Sequence, residues 1–236
     1  MNKLKRFIRT IITQIADDVF IRESKNIDNM RQKKALEQTA AFIEQNLPKT
    51  PSFDSRYAIY KHVTALVRDR QGLICEFGVA GGKSINFLAR LMPERVRIYG
   101  FDTFEGLPED WYGKYSKGTF KQQALPQVAS NVELVCGLFH ETLPPFLNGH
   151  PETALLIHID CDLYSSAKTV LDLMNVRLQE GTIVVFDEFF NYPGWQDGEA
   201  KAFLEFAEQE RLTFEYLGYC KTGPQVAIRI LSRGVR

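Results

Sequence analysis

Carboxylates close nearly every apolar run in the second half of this chain. Glu76 follows LIC, Asp102 ends VRIYGFD, Asp160 and Asp162 end ALLIHIDCD, and Asp187 with Glu188 ends TIVVFDE. If these runs are strands of a parallel sheet, their acidic ends face the crevice in which such sheets bind ligands. Any one of them could cap a helix or sit in water. Their repetition argues for a site. Oxygen donors without a histidine or cysteine cluster suit magnesium, calcium or manganese better than zinc. An ion held there lowers the pKa of a ligated hydroxyl, and a carboxylate beside it can take the proton.

The turn EFGVAGGKS, residues 76–84, joins an apolar strand to a helix through small residues. Such a turn lets the backbone approach a nucleotide-type ligand closely and aims helix N–H groups at it. The glycines are out of register for a dinucleotide, because Ala80 stands where G-x-G-x-x-G has its second glycine. They also miss the phosphate-loop pattern, whose leading glycine falls on Phe77. Glu76 inside the turn disfavours phosphates and favours a cofactor that carries positive charge. Asp102 comes 26 residues later, at the end of the next strand, where a carboxylate can accept hydrogen bonds from ribose hydroxyls.

Strand-like and helix-like segments alternate from Leu73 onward, which predicts an α/β, Rossmann-like doubly wound sheet. The expected strands are LICEFGV, VRIYGFD, VELVC, ALLIHID and TIVVFDE, with helices over 83–91, 120–129, 165–177 and 199–210. TFEYLG and QVAIRIL are joined by CKTGP, a turn too short for a crossover helix, so the sheet ends antiparallel. Upstream, Leu4, Ile8, Ile11, Ile12, Ile15 and Val19 recur at helical spacing, a second helix fits 33–47, and a third runs through Tyr57, Ile59, Val63, Leu66 and Val67. PKTPSFDS reads as a linker in which Ser52 or Asp54 caps that third helix. Residues 1–50 thus form a helical appendage for packing, lid or subunit contacts, and 51–236 form the main domain.

Lys3, Lys5, Arg6 and Arg9 permit a membrane-surface reading of the first helix, but Asp17 and Asp18 interrupt the charge and favour packing on the core or on a second copy. Lysine plus arginine balance aspartate plus glutamate at 29 each, so the charge balance asks for no nucleic acid. Four scattered cysteines and the absence of an apolar run of membrane length place the chain in a reducing cytoplasm. The aromatic stretch 111–120 fits a substrate lid, and in NYPGWQDGE the rings of Tyr192 and Trp195 could stack on a sugar or aromatic ring. His158 reads as a hydrogen-bonded core residue, and His140 as a residue of a loop, GLFHETLP.

These motifs, EFGVAGGKS, GFDTFEGLP, GLFHETLP, HIDCDLYSS and VVFDEF, occur in an order that resembles the class I S-adenosylmethionine-dependent methyltransferases, and more narrowly the macrocin O-methyltransferase-like family. The resemblance runs from about residue 55 to the end of the chain. It implies that 51–236 bind S-adenosyl-L-methionine, with Glu76, Gly78, Ala80, Gly82 and Ser84 on the methionine side. Asp102 would then hold the ribose, Thr103 and Phe104 would lie beside the adenosine, and Gly137 and Phe139 would bound the adenine. It further implies a divalent metal, usually magnesium, on Asp160, Asp187 and Glu188. The family often has two aspartates in that last pair, and Glu188 departs from this. Asp160 is the candidate for both ligation and proton removal, and the implied activity is O-methylation of a sugar or glycosylated metabolite. Two other readings stay open: a nucleotide-sugar glycosyltransferase using Asp160-Cys161-Asp162, and a cofactor-binding protein without turnover.

Overall fold

The computed structural model describes residues 2–113 and 115–234, with side chains for 5–15, 24–113 and 115–234. The predicted contributions of Lys3, Leu4, Asp17, Asp18 and Val19 lie outside the described side chains. In chain order the elements are α1 Asn2–Ser24, α2 Ile27–Asn46, β1 Ser52–Phe53, α3 Arg56–Val67, β2 Leu73–Phe77, α4 Lys83–Leu91, β3 Ile98–Asp102, β4 Val132–Cys136 and α5 Phe139–Gly149. There follow β5 Ala154–Ile159, α6 Tyr164–Met174, β6 Ile183–Phe186, α7 Glu199–Gln209, β7 Leu212–Cys220 and β8 Val226–Arg233.

One sheet of eight strands runs β1-β7-β8-β6-β5-β2-β3-β4. β8 lies antiparallel between β6 and β7, and the remaining pairings are parallel. The expected α/β sheet with an antiparallel C-terminal strand is therefore present. β2 and β5 are neighbours, yet the chain leaves β2 toward β3 and returns through β5 on the other side. The strand order reverses there, and that reversal opens a crevice at the strands' carboxyl ends.

Alternation along each strand assigns side chains to two faces. Leu73, Cys75 and Phe77 of β2 face a core built with Leu143, Val170 and Phe203 from α5, α6 and α7. Ile74 faces the opposite core, with Ile59 and Val63 of α3 and Ile85 and Leu88 of α4. Burial on both faces explains why these strands read as continuous apolar runs.

Several expectations fail for identifiable reasons. The helix expected over 120–129 is irregular backbone, because Pro126 lacks an N–H and restricts Leu125, and Leu125 and Phe120 are exposed rather than anchoring an apolar face. GLFHETLP opens α5 instead of forming a loop: Pro144 and Pro145 forfeit two intrahelical bonds, and burial of Leu143, Phe146 and Leu147 holds the helix nonetheless. The linker contains β1, which pairs with Tyr219 and Cys220, and Ser55 rather than Ser52 or Asp54 caps α3. α2 starts six residues early and inserts Ala35 and Thr39 into the body of the protein. On α1, the described side chains from Lys5 to Ile15 are all exposed. No helix of the described residues is long and apolar enough to cross a membrane, and the four cysteines are free.

Candidate active site

The glycine turn and the acidic strand ends meet at the reversal between β2 and β5. Gly78 follows β2 with φ +93°, and a Cβ built on it would sit 1.7 Å from the carbonyl oxygen of Asp160. Only glycine fits that approach. Asp160 N–H in turn donates to Phe77 at 2.8 Å, and Asp187 N–H donates to Ile159 at 2.8 Å, so each strand end is stitched to its neighbour. Ala80, Phe104, Asp162 and Asn191 also adopt positive φ, of 44°, 58°, 64° and 62°. Strained backbone of this kind persists where the surroundings over-determine it, and Ala80 and Asp162 among these residues line one cleft.

That cleft has a volume of about 400 Å³. Gly78, Ala80, Asp102, Thr103 and Phe139 line one part of it, and Asp160, Asp162, Asp187 and Glu188 another. Trp111, Tyr112, Tyr115 and Phe120 form an aromatic rim from the 111–120 segment. Tyr112 stacks on Tyr192 at 5.2 Å between ring centroids, which ties this rim to the 191–199 segment.

Asp102 is already occupied by backbone. Its Oδ2 accepts N–H bonds from Val79 and Ala80, both at 2.8 Å, and its Oδ1 accepts from Phe104 at 2.7 Å. The carboxylate therefore shapes the glycine turn itself.

Glu76 and Ser84, expected on the methionine side of a cofactor, do not line the cleft. Glu76 is fully buried on the face packed by α3 and α4; its Oε1 accepts from Ser84 Oγ at 2.9 Å, and its Oε2 lies 3.0 Å from His158 Nδ1. Strand alternation turns position 76 away from the crevice. Gly82, Phe104 and Gly137 also fall outside the lining; Gly82 opens on a shallow second pocket between Tyr57 and Arg90. His140 stands exposed in the first turn of α5.

The acidic ends separate into two groups that share Asp160. One joins Asp160 to Asp162 and Glu188, the other joins it to His158 and Asp187, each with ligand atoms within 4.8 Å of one another. The predicted trio Asp160, Asp187 and Glu188 lines the one cleft, with Asp160 common to both groups. Consecutive residues at a strand end point to opposite faces, so Asp187 turns toward α3 and Glu188 toward α7. Asp187 accepts from Arg56 Nη1 at 2.9 Å, Tyr60 Oη at 3.2 Å and Gln225 Nε2 at 3.2 Å. Glu188, by contrast, has its Oε2 buried without any partner.

Burial opposes the charged form of His158, but the neighbouring carboxylates of Asp187 and Glu76 prevail and raise its pKa well above the usual imidazole value. Burial likewise opposes ionisation of Asp187, yet the neighbouring His158 and Arg56 hold its carboxyl down at about 2. On the other side of the cleft burial prevails. Desolvation, with the charges of Asp187 and Asp102, pushes Asp162 up to about 7, and desolvation raises Asp160 and Glu188 well above the carboxylate range. Glu199, at the start of α7, is fully buried and bridges the two acidic segments: Oε1 accepts from Cys161 N–H at 3.2 Å and Oε2 from Glu188 N–H at 3.1 Å. Burial pushes this carboxyl to about 8.

Glu199 and Arg56 were missed by sequence reasoning, and Asp162 was given a metal-holding role only in the glycosyltransferase alternative. Asp162 carried a signal in the D-x-D pattern; Glu199 and Arg56 had none, being a helix-start residue and a residue of the apparent linker boundary.

The fold resembles that of solved methyltransferases. Residues 75–189 match a family described as "Methyltransferase domain". The match places a methyltransferase domain over that part of the chain. Among solved structures it resembles CalS11, a calicheamicin methyltransferase, with a TM-score of 0.61 and 24% identity over 87% of this chain and 93% of that one. It also resembles an apo structure of CalS11, described as a TDP-rhamnose 3'-O-methyltransferase, with a TM-score of 0.54 and 27% identity over 85% and 92%. The O-methyltransferase NovP gives 0.58 and 17% over 75% and 80%. Curated protein sequences give no match.

Proposed function

We propose that this chain is a divalent-cation-assisted O-methyltransferase of the macrocin O-methyltransferase-like kind, acting on a hydroxyl of a sugar or glycosylated metabolite. The observation that carries the reading is the buried, unpartnered Oε2 of Glu188, grouped with Asp160 and Asp162 in the cleft that the glycine turn opens on. Several desolvated carboxylates without a lysine among them fit a hard divalent cation such as magnesium. Asp160 and Glu188 would hold it, and Asp187 and Asp162 line the same cleft.

The bound cation would supply charge that makes an acceptor hydroxyl easier to deprotonate. Asp162 would take the proton, being grouped with Asp160 and Glu188 around the same point. Asp160 can share this role from the same group. Gly78, Ala80 and Thr103 give the S-adenosyl-L-methionine its path along the turn, and Phe139 offers an aromatic face for the adenine. Asp102 fixes the turn through its backbone bonds, and its Oδ1, with one bond from Phe104, retains capacity for a ribose hydroxyl. Trp111 and Tyr112, the latter backed by Tyr192, would present rings to the acceptor and keep water from the transfer, whose main requirement is alignment of donor and hydroxyl.

The relative described as a TDP-rhamnose 3'-O-methyltransferase makes a deoxysugar hydroxyl the first acceptor to test. Calorimetry with S-adenosylhomocysteine, with and without magnesium, and transfer of labelled methyl from S-adenosylmethionine to a panel of sugar hydroxyls test the reading. Binding of nucleotide sugar but not of S-adenosylhomocysteine rejects it in favour of glycosyl transfer. Undiminished transfer after chelation removes the metal.

A further inference from the structure

The described side chains lining the cleft include five carboxylates, Asp102, Asp160, Asp162, Asp187 and Glu188, and one cation, Arg56. Arg56 is the first residue of α3, and it faces the cleft together with Gly78 and Ala80 of the turn. Its Nη1 donates to Asp187 Oδ2, while among the described residues no hydrogen bond engages the other N–H groups of its fork, and the side chain is 41% exposed.

We infer that Arg56 binds the α-carboxylate at the methionyl end of the methyl donor. The inference rests on the cofactor assignment above and adds a residue to it. S-Adenosylmethionine brings three charged groups, a sulfonium, an ammonium and a carboxylate. The cleft's carboxylates complement the first two and repel the third. A single described group complements the carboxylate, and it stands beside the glycine turn. Neutralising Asp187 does not by itself account for Arg56, since Tyr60 and Gln225 already donate to that carboxylate and His158 lies 3.7 Å from it. With one N–H committed to Asp187, the guanidinium is held in place, and the rest of its planar fork suits a carboxylate. Arg56 would thereby couple the seat of the donor to the acidic end of β6.

The test compares S-adenosylhomocysteine with its decarboxylated analogue by calorimetry, using the full chain with magnesium. The wild type is expected to prefer S-adenosylhomocysteine by about 10- to 100-fold, the size of a charge-assisted hydrogen bond. Arg56→Gln should erase that preference while leaving affinity for the analogue within about threefold, and Arg56→Lys should keep part of it. Equal loss of affinity for both ligands in Arg56→Gln, or a preference that survives it, overturns the inference and leaves the cofactor assignment standing. Failure of the wild type to bind either ligand overturns both. Circular dichroism and thermal unfolding of the two variants separate lost recognition from lost fold.

Discussion

Gly78 and Asp160 touch through their backbones: the missing side chain of the first is what admits the carbonyl of the second, with a Cβ at position 78 falling 1.7 Å from it. The donor turn and the acidic strand end are therefore built against each other. A change at either one moves both. Gly78→Ala must relieve the clash and also hold alanine at φ +93°. We expect a loss of stability of about 3 kcal/mol or more in denaturant unfolding, with weakened S-adenosylhomocysteine binding in whatever folds. A neutral Gly78→Ala variant contradicts the packing described.

Asp160→Asn keeps the shape of the side chain and removes its charge. Turnover should fall by at least 100-fold, and magnesium should no longer raise the melting temperature, while affinity for S-adenosylhomocysteine measured without metal changes little. Unchanged turnover in this variant would falsify the role proposed for Asp160.

The carboxyl of Asp162 has a folded-state pKa near 7, above its usual value near 4. Between those values the folded state holds more protons than the unfolded one, so stability is greatest below about pH 4 and declines as pH rises through 7. Asparagine also tolerates the φ of 64° at this position. Asp162→Asn should therefore flatten the dependence of stability on pH between about 4 and 7 and leave the metal-free protein more stable than wild type at pH 8, by roughly 1–3 kcal/mol. Chemical unfolding at a series of pH values, in chelator, measures the difference; an unchanged slope counts against the carboxylate cluster as the source.

Glu199 joins Cys161 to Glu188 through two backbone N–H groups. Replacement by alanine strands both donors and opens a cavity, at a cost of about 2–4 kcal/mol. Thermal unfolding should register this, and magnesium affinity should fall because the acidic segments lose their spacing. Magnesium binding equal to that of the wild type would show that Glu199 only supports the fold.

The stacked pair Tyr112 and Tyr192 closes the aromatic rim. Tyr192→Ala should raise KM for the acceptor several-fold and leave S-adenosylhomocysteine affinity within about twofold. An effect on cofactor affinity alone would place Tyr192 on the donor side instead.

The alternation of apolar runs and helical segments was enough to define an α/β sheet, because strands buried on both faces must be continuously apolar and crossover helices must be amphipathic. The turn around Gly78, the carboxylate after nearly every strand and the antiparallel hairpin of β7 and β8 were likewise legible, since each depends on residues adjacent in the chain. What the sequence left undecided was direction. Whether a strand-end carboxylate faces the crevice or an adjoining core follows from the register of neighbouring strands, which sends Glu76 to His158 and Ser84 and leaves Asp160, Asp187 and Glu188 on the cleft. The contributions of Arg56 and Glu199 also arise only in three dimensions: their partners Asp187 and Cys161 lie far along the chain, and only the sheet order that places β2, β5 and β6 side by side brings them to one cleft.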